Sequence, residues 1–340
     1  MDYLIGKRIA RDIVNKIGVT VVPAQTFLTH EVIKLIVNHK IDPDSILFAP
    51  DTTGGVNKML APPSKLVQQA VTRSKQLFES ITVSRKIPLL EFRQEVLPAI
   101  QDVSRNPDVF ELFEAVKAKD DYTYQHNIGV GVLATLIGRW MNLSEVDISV
   151  LSLAATLHDV GKVKLPIEVL NKPGKLTNEE YELVKKHTIY GYELLKNTPG
   201  ISHAVARVAL QHHERDDGRG YPLGLTRDHI DRFSSIVAVA DIFHAMSSKR
   251  PYHEPLPFYE ILSQMGQGKF GELNPTIVSL FVENMMKKLV GKRVRLTDGR
   301  EGEVVYLNPH RLEMPLIKLE DGFLDLSKED GVRIQDIITD

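Results

Sequence analysis

One periodicity dominates residues 62–290 of this 340-residue chain and restricts its fold more than any other feature. Apolar residues recur there at steps of three and four, and no segment alternates with the period of two that marks a strand. Ser144-x-x-Asp147 and Thr177-x-x-Glu180 have the spacing of capping boxes at helix starts. The pattern predicts an all-α bundle for the middle of the chain.

The two ends of the chain have a different pattern. Residues 1–60 contain two strand-like segments, KRIARDIV and IGVTVVP, and one helical pattern, LTHEVIKLIVNHK, which together predict a small α+β accessory domain. A helical linker region is expected over 61–118 and the main domain over 119–290. Residues 291–340 alternate around Asp298–Gly299 and Asp321–Gly322, which are hairpin signals. We therefore expect a mainly α fold that ends in a small β-barrel-like extension.

Composition excludes several classes of function. Cys is absent, which removes disulfides, thiolate metal sites and cysteine nucleophiles. The net charge of -2 gives no global field that would attract a nucleic acid polymer. No apolar run approaches the roughly 20 residues of a membrane span, and the N-terminal segment lacks a signal-peptide core. These features favour a cytoplasmic protein without a membrane or nucleic-acid partner.

Several histidines and aspartates lie on apolar faces of the predicted helices. A single histidine in such a place is ordinarily a core residue with satisfied hydrogen bonds, but an unpaired carboxylate there is costly. The set comprises His126, His158, Asp159, His187, His212, His213 and Asp241. Imidazole and carboxylate together suit first-row metals such as Fe, Mn, Ni or Zn. Because seven ligands exceed what one ion takes, two ions that share Asp159 are expected.

The order and spacing of these motifs resemble the HD-GYP phosphohydrolases over about residues 115–285. The segments that carry the resemblance are HDVGK from His158, KHTIYG with His187, HHERDDGRGYP from His212, and DIFHAMSSKRPY from Asp241. The resemblance implies an all-α HD-type bundle and hydrolysis of the second messenger cyclic di-GMP to pGpG, GMP or both. It also implies that the seven residues above hold two divalent ions, Fe or Mn with Zn or Ni as alternatives, bridged by Asp159.

The expected chemistry uses two cations about 3.5–4 Å apart and a bridging hydroxide that attacks phosphorus in line with the departing 3′ oxygen. Asp159 and Lys162 are the predicted catalytic residues. Lys162, Tyr221 and Arg250 are the predicted substrate contacts, with the ammonium on phosphate, the ring stacked on guanine, and the guanidinium on phosphate or guanine. The ordinary alternatives are a solvated lysine, a loop tyrosine packed on its own helix, and an arginine at a helix end. Glu214 is expected to be solvated or to orient a ligand histidine.

Three positions depart from the family pattern. Tyr122 stands where members with a third metal carry glutamate, so two metals are expected. His244 and His253 replace the aspartate and the arginine or lysine of many members, and each could be an acid, a phosphate contact or a surface residue. Two alternatives therefore stay open: a weakly catalytic cyclic di-GMP receptor that signals to a partner protein, and an HD phosphohydrolase for another nucleotide. A homodimer also stays open.

Overall fold

The structure, a computed structural model, divides the chain into two compact units, Met1–Ala61 and Pro62–Asp340. It describes residues 62–117, 122–172, 174–248, 256–269, 271–308, 311–329 and 331–338, with separate positions between 13 and 46. In the first unit β1 (Ile13–Val14) pairs antiparallel with β2 (Thr20–Val22). The buried side chains of Ile13, Val22, Ile36 and Ile46 form its small core. The domain boundaries drawn from the sequence stay predictions.

The second unit is mainly helical, as predicted. Its helices, in chain order, are α1 (Pro63–Ser84), α2 (Leu89–Glu91), α3 (Leu97–Val103), α4 (Val109–Val116), α5 (Tyr122–Trp140), α6 (Glu145–Leu157), α7 (Ile167–Leu170), α8 (Asn178–Lys185), α9 (His187–Lys196), α10 (His203–Gln211), α11 (Arg232–Ser247), α12 (Phe258–Gly266) and α13 (Pro275–Lys287). A π-helical turn, Phe92–Val96, joins α2 to α3, and a 3-10 turn, Val160–Lys164, follows α6.

Side-chain caps set the starts of the helices that matter for the site. The Ser144 hydroxyl accepts from the backbone N–H of Asp147 at 3.1 Å and begins α6. Thr177 and Glu180 form the predicted capping box of α8, with each side chain bonded to the other's backbone N–H. Beyond its cap α6 is apolar on nearly every side, and Leu151, Ala154 and Ala155 are all buried. It is therefore the central helix, packed against α5 and α10, while α5 also packs on α11.

The chain ends in an antiparallel sheet of five strands in the order β6-β5-β4-β3-β7. These strands are β3 (Arg293–Leu296), β4 (Glu301–Asn308), β5 (Arg311–Leu319), β6 (Gly322–Asp325) and β7 (Ile334–Ile338). The hairpins at Asp298–Gly299 and Asp321–Gly322 form as predicted, and Gly299 takes the left-handed conformation with φ +87°. The predicted C-terminal β unit is confirmed as an antiparallel sheet, but it is not a closed barrel, because β6 and β7 are the two edges of the sheet.

The sheet and the helices share one apolar core. Val294, Val304 and Ile317 of the sheet are fully buried in the same cluster as the residues of the central helices. Helices α12 and α13 both contact β5, and α12 also contacts β7, so the helices pack against the sheet. Within the described part of the chain, no helix combines the length and apolarity that crossing a bilayer requires.

Candidate metal centre

The structure brings all seven predicted metal ligands together at one point between five helices. His126 comes from α5, and Asp241 from α11. The others stand at helix ends: His158 and Asp159 directly after α6, His187 at the start of α9, and His212 and His213 directly after α10. All are less than 10 % exposed except His213, which is partly buried. The helix ends converge because the 3-10 turn after α6 packs on α9, which in turn packs on α10.

The carboxylate of Asp159 lies at the centre of this cluster. Its Oδ1 is 3.2 Å from His187 Nε2 and 3.8 Å from His212 Nε2. Its Oδ2 is 3.4 Å from His158 Nε2 and 3.9 Å from His126 Nε2. The two oxygens of a single carboxylate therefore face two different sets of imidazoles.

Two groups of ligand atoms result, and Asp159 belongs to both. The first group is Asp159 with His187, His212 and His213, and the second is His126 with His158 and Asp159. Within each group the ligand atoms lie within 4.8 Å of one another. Asp241 Oδ1 lies 3.1 Å from His126 Nε2 and so adds a carboxylate oxygen beside the second group. This geometry suits two ions with Asp159 between them.

Backbone carbonyls orient three of the imidazoles. His158 Nδ1 lies 2.7 Å from Ala155 O, and His187 Nδ1 lies 2.7 Å from Val184 O. His212 Nδ1 lies 3.1 Å from the carbonyls of residues 208 and 209. A carbonyl only accepts, so the proton must sit on Nδ1, and each Nε2 then presents a lone pair to the centre. Metal-binding histidines are typically held in this way.

One carboxylate oxygen at the centre lacks a donor. Asp159 Oδ1 is buried and accepts no hydrogen bond, although His187 Nε2 lies only 3.2 Å away. This is expected because both atoms carry lone pairs. Several electron-rich atoms in a buried space repel one another unless a cation lies among them. The residues therefore fit divalent cations, and a donor set of nitrogen and oxygen without sulfur suits Fe, Mn, Zn or Ni.

The charges of the site favour the metal-binding protonation states. Burial lowers the pKa of His126, and it holds the pKa values of His212 and His213 well below the usual value. For His158, burial is outweighed by the Asp159 carboxylate, which raises its pKa and would equally attract a cation. Burial also opposes ionisation of Asp159, but Lys162 and His158 hold its pKa well below the usual range. A charged carboxylate among mostly neutral imidazoles is the form that binds metal.

Lys162 and Tyr221 both lie beside the ligands. Lys162 Nζ is 2.5 Å from Asp159 Oδ2 and is about 29 % exposed, so its ammonium borders the centre. The Tyr221 ring stacks on the ligand His213, with centroids 4.6 Å apart and planes inclined by 27°. One face of Tyr221 is thus occupied by His213, while Lys185 Nζ lies 5.6 Å from its centroid. The substrate roles of Lys162 and Tyr221 stay predictions.

Glu214 has neither of its two expected roles. It is 2 % exposed, and its carboxylate accepts from the backbone N–H groups of Leu223 at 2.7 Å and Leu225 at 2.8 Å. It therefore folds the Gly-Tyr-Pro loop back onto the end of α10. A Cβ atom at Gly220 would lie 2.4 Å from Glu214 Cα, so only glycine fits this close approach. Glu214 thereby positions Tyr221 rather than a ligand histidine.

Two cations near the site were not predicted from the sequence. Arg215 donates to the carbonyls of Glu214 at 2.8 Å and His212 at 3.3 Å, and burial lowers its pKa. Lys185 lies over the rings of Tyr181 and Tyr221. Arg215 is two positions from His213 along the chain, and Lys185 is two positions from His187. This closeness to predicted ligands was the sequence signal that could have identified them.

The remaining predicted positions divide into two kinds. Arg250 and His253 lie outside the described residues, as does the side chain of Tyr122. His244 is fully buried, so its interpretation as a surface residue is wrong, and it contacts the predicted ligand His126.

Comparison with known proteins identifies the class to which this fold and site belong. Residues 111–271 match the family model of the HD domain. The match confirms the resemblance to HD-GYP phosphohydrolases at the level of the HD domain, for this central part of the chain.

Two sequence relatives and one solved structure are similar to this chain. The chain is 36% identical over 217 residues to the cyclic di-GMP phosphodiesterase PA4108 of Pseudomonas aeruginosa, with 64% of this chain and 52% of the relative covered. It is 33% identical to the 3'3'-cGAMP-specific phosphodiesterase 3 of Vibrio cholerae, with 62% and 46% covered. The match thus spans about half the length of these relatives. The fold is similar to Bd1817 of Bdellovibrio bacteriovorus, described as a HDG"Y"P protein, with a TM-score of 0.54 at 16% identity over 83% of this chain and 96% of that one.

Proposed function

We propose that this protein is a metal-dependent phosphodiesterase that hydrolyses cyclic di-GMP to pGpG, GMP or both. The observation that carries the proposal is the position of Asp159, whose two carboxylate oxygens face separate groups of histidine Nε2 atoms. A receptor needs affinity for the dinucleotide but has no need of a buried, lone-pair-rich centre. The name of the Pseudomonas aeruginosa relative supports the substrate.

The seven ligands divide between two proposed ions. His126, His158, Asp159 and Asp241 would hold one, and Asp159, His187, His212 and His213 the other. Bound divalent ions would supply Lewis-acid activation of water and neutralise charge on the phosphodiester. Fe or Mn is the proposed metal, and the donor set equally admits Zn or Ni.

The chain itself would hold and orient the substrate. Lys162 would hold a non-bridging phosphate oxygen at the edge of the centre, and its partial exposure beside Asp159 supports this role. Lys185 and Arg215 add positive charge around Tyr221. A dinucleotide carries two phosphates, so more than one cation beside the histidine cluster suits it. Of the seven proposed ligands only His213 is partly exposed, and Lys162 is partly exposed as well. The substrate phosphate would therefore reach the centre past these two side chains.

A second candidate substrate is 3'3'-cGAMP, which is favoured by the name of the Vibrio cholerae relative. The metal centre acts on the phosphodiester and does not distinguish the two bases. Base recognition would fall to side chains outside the centre, such as Tyr221 and Arg250. Both cyclic dinucleotides therefore belong in the test.

The test combines metal analysis with turnover on one sample. Protein purified without oxygen is expected to contain close to two ions per chain and to release linear or mononucleotide product from cyclic di-GMP, as resolved by chromatography. Asp159→Asn removes the shared ligand charge and is expected to lose both ions and the activity. Asp228→Asn, an exposed aspartate outside the cluster, is the matched control and should retain both. A protein that holds two ions and binds cyclic di-GMP without cleaving it would favour the receptor alternative.

A further inference from the structure

His244 lies behind the metal centre, in contact with one ligand. It stands on α11, three residues after Asp241, and its side chain is fully buried. Its Nδ1 is 3.1 Å from His126 Nδ1, and its Nε2 is 3.0 Å from Val116 O. The imidazole thus connects a backbone carbonyl at the end of α4 to the ligand on α5.

The proton positions along this connection follow from the carbonyl. Val116 O only accepts, so Nε2 of His244 must carry a proton and donate it. In the neutral imidazole the other nitrogen, Nδ1, then has a lone pair and accepts from His126 Nδ1–H. In this order His126 Nε2, which lies 3.1 Å from Asp241 Oδ1 and 3.9 Å from Asp159 Oδ2, needs no proton of its own and can present a lone pair to an ion between these carboxylates. The reverse order would require a doubly protonated, charged His244 in a fully buried place, which is costly.

The fold reserves space for this ring. A Cβ atom at Gly129 would lie 2.0 Å from His244 Nε2, so the imidazole packs directly on the backbone of α5 one turn beyond His126. The Val116 carbonyl lies in the last turn of α4, where backbone acceptors lack intrahelical donors. Ser248 Oγ, 3.4 Å from His244 Nδ1, is a longer contact to the same nitrogen. Three helices therefore determine where the ring sits.

We infer that His244 is a positioning residue that fixes the tautomer of His126. It thereby keeps in place the proposed ion that His126 shares with His158 and Asp159. The inference rests on the metal centre proposed above. A hydrogen-bonded chain that runs from Val116 O through His244 orients His126. It thus supports the half of the centre formed by His126, His158 and Asp159. The other half is held by carbonyl contacts of His187 and His212 and does not depend on His244.

A manganese titration of three variants tests this role. His244→Leu removes the acceptor but keeps an apolar side chain of similar volume. His244→Asn keeps an acceptor oxygen near the place of Nδ1. The affinity of one Mn²⁺ site is expected to fall about 10- to 100-fold in His244→Leu, the range for loss of a partner of a metal-bound histidine, while the other site is unchanged. The electron paramagnetic resonance spectrum at two equivalents should then change from that of a coupled pair to that of isolated Mn²⁺.

Rescue and a control separate positioning from general damage. His244→Asn is expected to restore most of the affinity and the coupled spectrum. Ser152→Ala, which removes a buried hydroxyl bonded to Thr135 between α5 and α6, should leave both Mn²⁺ sites intact. Wild-type affinity and spectrum in His244→Leu would overturn the inference, as would equal losses in the Leu and Asn variants. Wild-type protein that binds two Mn²⁺ without cleaving cyclic di-GMP would refute the proposed activity and leave this result standing.

Discussion

Gly161 lies in the turn that follows the His158–Asp159 pair. One added methyl group at this position should move Asp159 away from His187. A Cβ atom there would lie 1.9 Å from His187 O and 2.4 Å from Gly191 N, whereas real Cβ contacts essentially never fall below 3.0 Å. Both neighbours are backbone atoms of α9, so no side chain can swing away. In Gly161→Ala the turn and α9 must therefore move apart by about 1 Å, the shortfall between these separations.

That movement is large compared with the tolerance of a metal site. Ligand distances in such sites hold within about 0.2 Å, and the shift acts directly between Asp159 and His187. We expect Gly161→Ala to bind fewer than two ions and to lose turnover. Overpacking of this kind costs roughly 1–3 kcal/mol, so the metal-free protein should also melt several degrees lower. Elemental analysis, a cyclic di-GMP assay and a thermal melt of the metal-free protein measure the three effects.

Two further glycines provide a graded comparison. At Gly191 a Cβ atom would meet Ala209 Cβ and Gly161 N at 3.3 Å, so Gly191→Ala should cost less. At Gly266 there is open space within 4 Å, so Gly266→Ala should be neutral. Full metal content and activity in Gly161→Ala, or equal damage from all three substitutions, would refute the argument from close approach.

Two other expectations concern charge. Lys162→Met removes the ammonium beside Asp159. It should keep both ions but reduce kcat/KM roughly 10- to 100-fold, as the loss of one charge-assisted hydrogen bond does. If the variant loses metal instead, the lysine supports Asp159 and not the substrate. Asp108 caps α4 and pairs with Lys292 at 2.8 Å, and despite burial these contacts lower its pKa. Its folded pKa lies below the unfolded value, so the pair stabilises the fold above about pH 4, and this contribution is lost as the pH falls through the folded pKa. Asp108→Asn keeps the cap, so urea unfolding should show a deficit below about 1 kcal/mol at pH 7, because the pair is partly exposed. The deficit should shrink as the pH falls below about 4, and a deficit that does not change with pH would contradict the prediction.

The features that the sequence predicts well are local or periodic. The Thr177 capping box needs only four residues, and each hairpin depends on its own Asp-Gly turn. The clustering of the seven predicted ligands could be anticipated because apolar helical faces and helix ends hold few histidines without a reason. Their meeting point at Asp159 could be inferred because one carboxylate can serve two ions.

What the sequence does not predict depends on contacts between distant segments. Closure of the terminal sheet depends on whether β6 and β7 meet, and no turn signal specifies that. Glu214 reads as part of a solvated acidic run, and only the return of the loop shows that it binds two backbone N–H groups. The role of His244 depends on Val116, 128 positions away along the chain.

The wide spacing of the proposed ligands along the chain has a consequence for the stability of the protein against unfolding and degradation. Because they come from five helices and span more than a hundred positions, from His126 to Asp241, the unfolded chain would offer no comparable site and ions would bind only the native state. By mass action, free metal at a hundred times its dissociation constant would add about 2.7 kcal/mol per site to the free energy of unfolding. Under the proposed function, supply of the metal would then govern resistance to proteolysis as well as turnover, and metal-starved protein would be the form that is degraded first.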